Sequence, residues 1–440
     1  MIESGPSSQL VSSPEGPILQ TPPETTGRFI IVFAEGVDSP RSILEEAGMT
    51  DVATSRELEG DESAAATTDT VFEELGMAVV SAEPGQLGAL QTSAEARGTV
   101  LSVSPELVHH VRENDYVRGY VDGVSDLGER LGVNPATAPA PGTGGTGAGS
   151  APGVQFFRDT TDFTWGIQAT ATQLSSFSGQ GVAVAVLDTG FDSTHPDFAG
   201  RAVTMQSFVP NESAEDGHGH GTHCIGTSCG PKSPGSGPRY GVAYGADIFV
   251  GKVLSNSGSG SDGGILAGID WAISQGCAVI SMSLGADVPR VHPPYTAAGK
   301  RALEKGTLIV AAAGNNAMRT SLDFGFVGAP ANSPHIVAVG ALNQQLDVAF
   351  FSARTLPNVK GGQVDLAGPG YQVYSSWPMP TRYRAISGTS MATPHVAGIA
   401  ALWAEATGYR GGALWAILVQ ESKRLLAPSL DVGSGLALAP

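Results

Sequence analysis

The chain has 440 residues, long enough for two or more folded units, and its 41% hydrophobic and 15% charged composition, with 59 Gly and 29 Pro, is that of a loop-rich globular protein. Its net charge of -18 is uneven: residues 1–131 carry 23 acidic and 7 basic side chains, all Arg, while the remainder carries 19 and 17. An acidic surface repels nucleic acid and anionic membranes, and the near-neutral remainder offers no basic stripe, so both partner classes are set aside.

Residues 1–27 are rich in Pro, Ser and Glu without hydrophobic period and read as a disordered lead-in. They show neither the basic region nor the apolar run of a signal peptide, and no later run reaches the ~18 apolar residues of a membrane span. The expectation is a soluble protein without a secretion signal.

From residue 28 to 111 the pattern is that of a small α+β unit. Strands are expected at Phe29–Phe33 and Met77–Ala82 and in TVLSVSPELVHHV, with helices near Pro40–Gly48 and after Pro84. Residues 112–155 read as a linker: a short amphipathic helix over 112–131, then PATAPAPGTGGTGAGSAPG. From 156 to 440, apolar runs (VAVAVLD, ADIFVGKVL, CAVISMSL, TLIVAAAG, HIVAVGAL) alternate with helical segments. Strands buried on both faces and separated by helices predict an α/β domain with a doubly wound, mostly parallel sheet.

In such a sheet ligands bind at the carboxyl ends of strands, where Asp188 closes GVAVAVLDTG. Taken alone, that Asp is as readily a turn former. DGHGHGTHCIGTSCG brings together His218, His220 and His223, which could ligate zinc or supply one general base. Ser390, in ISGTSMATPHVAG, opens an apolar helical segment. By itself it reads as an N-cap, or as an imperfect nucleophile elbow of the α/β-hydrolase kind. That second family runs Ser, acid, His, whereas the order here is Asp188, His220, Ser390. Cys224 and Cys229, five apart, would face different sides of a helix, so no bridge between them is expected.

Asp-Thr-Gly, His-Gly-Thr-His and Gly-Thr-Ser-Met-Ala-Thr-Pro together resemble the subtilisin family of serine peptidases over about residues 156–435, with DGHGHGTHC similar to its proteinase K branch. The resemblance implies a serine endopeptidase on protein or peptide substrates, with Ser390 as nucleophile, His220 as general base, Asp188 orienting it and Asn315 in the oxyanion hole. It further implies that Gly258-Ser259-Gly260 and Ser283-Leu284-Gly285 pair with extended substrate, and that Gly328 walls a P1 pocket roomy enough for a bulky apolar side chain. No cofactor is required for the chemistry. Asp365 with the carbonyls of Pro334 and Ile336 matches a structural calcium site, although Asp365 also reads as a turn residue. Asp197 matches a ligand of another calcium site whose completing loop is missing here. His195 and His395 are read as structural.

Residues 28–111 resemble the inhibitory propeptide of such zymogens, which makes this segment an intramolecular partner of the enzyme. A dedicated processing peptidase acting on one protein is the alternative function. Family precedent implies secretion, against the cytoplasmic location that a missing signal would favour.

Overall fold

The structure is a computed structural model that describes residues 23–58, 64, 67–111, 156–357 and 361–440. The segment read as a linker, 112–155, lies outside the described residues, as does most of the lead-in.

The amino-terminal unit comprises β1 (Thr25–Phe33), α1 (Pro40–Glu46), β2 (Ala53–Thr54), β3 (Thr70–Phe72), β4 (Met77–Val80), α2 (Pro84–Arg97) and β5 (Val100–Val111). Its strands alternate, as a pleated sheet requires. Ile31, Phe33, Val71, Ala78 and Val80 face α1 and α2, packing with Leu44 and Leu90. Ile30, Val32, Phe72, Met77 and Val79 point the other way, into a core shared with the rest of the chain.

One boundary differs from the sequence reading. β1 begins at Thr25, inside the expected lead-in, because the long β5 runs on beside it and pairs Thr25 with Leu107. Ladder pairing there overrides a polar composition.

The second region is built on seven parallel strands: β6 (Ala183–Asp188), β7 (Val203–Ser207), β8 (Asp247–Lys252), β10 (Val279–Met282), β12 (Leu308–Ala312), β13 (Val337–Leu342) and β14 (Leu366–Pro369). Their spatial order is β14-β13-β12-β10-β6-β8-β7. The chain winds outward in both directions from the β6/β10 neighbours, which makes their carboxyl ends the switch point of a doubly wound sheet.

Val184 and Val186 of β6 enter one core, and Ala185 and Leu187 the other. On the first face lie α3 (Trp165–Ala169), α4 (His220–Cys229), α7 (Thr389–Thr407) and α8 (Gly411–Gln420). The opposite face is covered by α5 (Asp262–Ser274) and α6 (Pro293–Glu304). A hairpin, β15 (Val373–Ser376) with β16 (Tyr383–Ile386), and a short α9 (Ser429–Val432) complete the region. Among the described residues no helix is long and apolar enough to cross a membrane.

The amino-terminal sheet lies on α5 and α6. Arg301 of α6 donates to the carbonyls of Phe33, Leu75 and Gly76. Leu75 N–H donates to Asp270 of α5 at 3.0 Å. Beyond this contact β5 reaches further: it pairs antiparallel with β9 (Ser259–Ser261) on one side and β11 (Leu284–Gly285) on the other.

Candidate active site

Parallel strands deliver the candidate catalytic side chains to one rim. Asp188 is the last residue of β6, His220 the first of α4 and Ser390 the second of α7, whereas Asn315 follows β12 and Ser283 follows β10. All are at the carboxyl end of the sheet.

His220 Nδ1 donates to Asp188 Oδ1 at 2.7 Å, with both side chains buried. Burial opposes charge on this imidazole, but the Asp188 carboxylate outweighs it and holds its pKa well above the ordinary 6.5. Its Nε2 is buried and makes no hydrogen bond among the described residues.

The glycines of DGHGHGTHC bring His220 to this point. Gly219 caps α4 at φ +109°, where a Cβ would strike the Trp377 ring at 2.4 Å. Asp216 holds the turn: Oδ1 accepts from His218 and Gly219 N–H at 3.0 and 2.7 Å, and Oδ2 from Thr222 N–H at 2.8 Å. Thr189 Oγ1 donates to Asp216 Oδ1 and accepts from Gly221 N–H, which locks the start of α4 to the end of β6. Sequence reading passed over Asp216; a carboxylate four residues before the first residue of a helix was its only signal.

Ser390 Oγ donates to Ser283 O at 3.1 Å, and Ser283 Oγ donates to Ser390 O at 2.8 Å. Asn315 Oδ1 accepts from Thr389 N–H and Oγ1, both at 2.9 Å. That fixes the amide with its nitrogen turned away from Thr389. Gly328 N–H donates to Ala313 O at 3.1 Å, so Gly328 lies against the Asn315 loop. Ala286, one step beyond β11, donates to Ala329 O at 2.9 Å.

The edges flank β5 in a definite register. Gly260 and Ser259 face His109 and His110, Gly285 faces His110, and Leu284 faces Val111. Val111 N–H donates to Gly258 O at 2.9 Å. Gly258 has φ +83°, and a Cβ there would crowd the Val111 side chain at 3.1 Å.

The three histidines do not converge on a common point. His223 Nε2 donates to Val373 O at 2.9 Å, and burial drives its pKa down to about 3. The single metal-sized grouping among the described residues is Asp188, His220 and Cys224, whose members are the paired Asp–His and a neighbouring thiol. Cys224 Sγ is 3.8 Å from His220 Nδ1 and 3.6 Å from Ser390 O, with burial pushing its pKa to about 11. Cys224, Cys229 and Cys277 are all free and buried.

His195 Nε2 donates to Arg382 O at 2.8 Å, and His395 Nδ1 donates to Met391 O at 2.8 Å. Asp197 accepts from Gly235 N–H, Tyr240 and Tyr383, and is paired with the Arg382 guanidinium at 3.1 Å. A protein cation thus faces this carboxylate.

Asp365 immediately precedes β14 and Ile336 immediately precedes β13, and the register of these parallel strands sets Asp365 beside Ala338, two residues beyond Ile336 and four beyond Pro334. Asp365 Oδ2 accepts from Ala338 N–H at 2.8 Å and Oδ1 from Gln363 at 3.2 Å. Burial, uncompensated by any cationic side chain among the described ion pairs, pushes its pKa up to about 7. A buried carboxylate of this kind can serve as one ligand of a hard cation.

A family model described as the subtilase family matches residues 179–434. Thermitase of Thermoactinomyces vulgaris is 41% identical over 227 residues, 51% of this chain and 76% of that protein. Subtilisin Savinase of Lederbergia lenta is 43% identical over 242 residues, 54% of this chain and 82% of that protein. Subtilisin E of Bacillus subtilis is 41% identical over 238 residues, and there the match spans 58% of the relative's length.

Proposed function

The chain belongs to the subtilase family and is a subtilisin-like serine endopeptidase, and from that premise we propose that Ser390 is its nucleophile, His220 its general base and Asp188 the group that orients His220. The observation that carries this reading is the 2.7 Å Asp188–His220 pair at the end of β6, with Ser390 opening α7 across from Asn315.

In the proposed cycle the Ser390 hydroxyl turns from Ser283 O to His220 Nε2 and yields its proton as the Oγ–C bond to the scissile carbonyl forms. His220 passes that proton to the leaving nitrogen as the C–N bond breaks. Water then repeats the steps, releasing the acid and restoring Ser390. The Asn315 amide and the Ser390 N–H stabilise the intermediate oxyanion, the Asp188 carboxylate favours the transient imidazolium, and Gly328 walls the P1 pocket.

Substrate is proposed to lie where β5 lies, between Gly258-Ser259-Gly260 and Ser283-Leu284-Gly285. Val111 faces Leu284, and Ser283 is bonded to Ser390, so a peptide continuing this register presents its next carbonyl to the nucleophile. Counting back, Val111, His110 and His109 mark the second, third and fourth positions before the scissile bond. Residues 28–111 then act as an intramolecular inhibitor, and the chain is made as a zymogen. The DGHGHGTHC segment supports a place near the proteinase K branch. Asp365 with the carbonyls of Pro334 and Ile336 would hold a calcium ion, whose role is to neutralise a buried carboxylate rather than to break bonds.

Mass spectrometry of the purified chain tests the reading. Wild type is expected to appear cut on the carboxyl side of β5, and Ser390→Ala intact. A serine-directed phosphonate should label wild type at Ser390 and abolish activity; self-cleavage by Ser390→Ala would refute the assignment.

A further inference from the structure

The amino-terminal unit carries a residue that the reaction does not need. His109 is fully buried between the partly buried Val108 and the exposed His110, and its Nε2 lies 2.6 Å from Asp262 Oδ1. Asp262 opens α5 beneath β9 and is itself fully buried. The pocket is built around this carboxylate: Tyr295 Oη donates to Oδ1 at 2.7 Å, His292 Nε2 to Oδ2 at 3.2 Å, and the His109 and Tyr295 rings meet edge to face at 5.6 Å. The backbone takes part as well, since Leu107 N–H donates to Asp262 Oδ2 at 2.6 Å. Burial works against the charge on Asp262, but His109 and then His292 outweigh it and hold the carboxyl well below its usual range, so the pocket floor is anionic.

We infer that Asp262 makes the position occupied by His109 a specificity subsite, selecting substrates that place a histidine four residues before the scissile bond. The inference rests on the reading of β5 as a substrate strand. A leucine or phenylalanine in this place buries Asp262 with one of its donors removed, and an aspartate sets two carboxylates in contact. Sites built to bond a polar group reject analogues that lack it, because the buried partner is left unpaired. His109 also explains the register: its side chain and the Leu107 N–H grip one carboxylate two residues apart along the strand, so a slip by one residue would break both contacts.

The test uses the mature wild-type enzyme and matched fluorogenic peptides that differ only at the fourth position: His, Leu, Phe or Asp. The His peptide is expected to lead in kcat/KM by roughly 10- to 100-fold over Leu, with Asp slowest, and Asp262→Leu is expected to reverse the His/Leu order. Equal or better cleavage of Leu or Phe peptides by wild type would overturn the inference while leaving the serine-peptidase reading intact. Cleavage of none of the four by wild type would overturn both. Should Asp262→Leu fail to accumulate, His109→Leu in the full chain leaves the enzyme's own pocket unaltered and is expected to slow self-cleavage at least tenfold; an unchanged rate would overturn the inference.

Discussion

The two regions differ in how they complete their cores. The catalytic sheet is covered on both faces by its own helices, with β6 sending alternate residues into two cores. The amino-terminal sheet has α1 and α2 on one face only, and its other face, with Ile30, Phe72 and Met77 at 0% exposure, is closed by α5 and α6 of the catalytic region. A unit of under 90 residues that borrows half its core is marginal by itself. The enzyme's chemistry, by contrast, is assembled from strand ends that the amino-terminal unit does not build. Defects in the first region should therefore register as lost docking, and defects in the second as lost turnover.

The largest effect expected after loss of the nucleophile itself is at Asn315. Asn315→Ala should lower kcat by about 10²- to 10³-fold with KM nearly unchanged, the scale set by an oxyanion-hole amide in subtilisin. Steady-state kinetics on one peptide decides it; a change confined to KM would make Asn315 a binding residue instead.

Next in size is Phe72→Ala, which opens the shared core from the amino-terminal side. Truncating a buried Phe costs about 3–5 kcal/mol, which corresponds to roughly 10²- to 10³-fold or more weaker inhibition of the mature enzyme by added residues 23–111. Turnover of the mature enzyme alone stays as it was. The contrast between the regions fails if isolated residues 23–111 melt cooperatively without the enzyme, which circular dichroism would reveal.

How much of this was legible follows the same division. Asp188, His220 and Ser390 stand in short motifs whose order is informative, and the runs of β6, β10, β12 and β13 are apolar enough to announce a buried parallel sheet. β2 and β3 have two and three residues and carry no period to read. Asp262 was illegible for another reason: its partner His109 is 153 positions away, and a lone Asp at a helix start reads as an ordinary first-turn acid. Likewise TVLSVSPELVHHV announces a strand but not that its last residues belong to the enzyme's edges, because pairing between separate units leaves no local pattern.

The smallest effect concerns the seam itself. A cavity of about 330 Å³ lies between the regions, lined among others by Ser55, Arg56, Phe72, Glu73, Glu74 and Asp270. Burial, reinforced by the Glu74 charge and only partly offset by Ser55 and the Leu75 N–H, pushes the Asp270 carboxyl up to about 7. Arg56 is engaged with Glu73 at 3.1 Å rather than with Asp270. If the amino-terminal unit departs as proposed, water should reach Asp270 and its pKa should fall back toward the ordinary 3.8. Docking therefore takes up a proton. A pKa raised in the docked state means that docking is strongest below about 3.8, weakens as pH climbs toward about 7, and levels off above. The inhibition constant of added residues 23–111 should rise between pH 5 and pH 7.5, by no more than about tenfold per pH unit, and Asp270→Asn should flatten that slope. An equal slope in Asp270→Asn would assign the proton to another group at the seam and remove Asp270 as the link between acidity and docking.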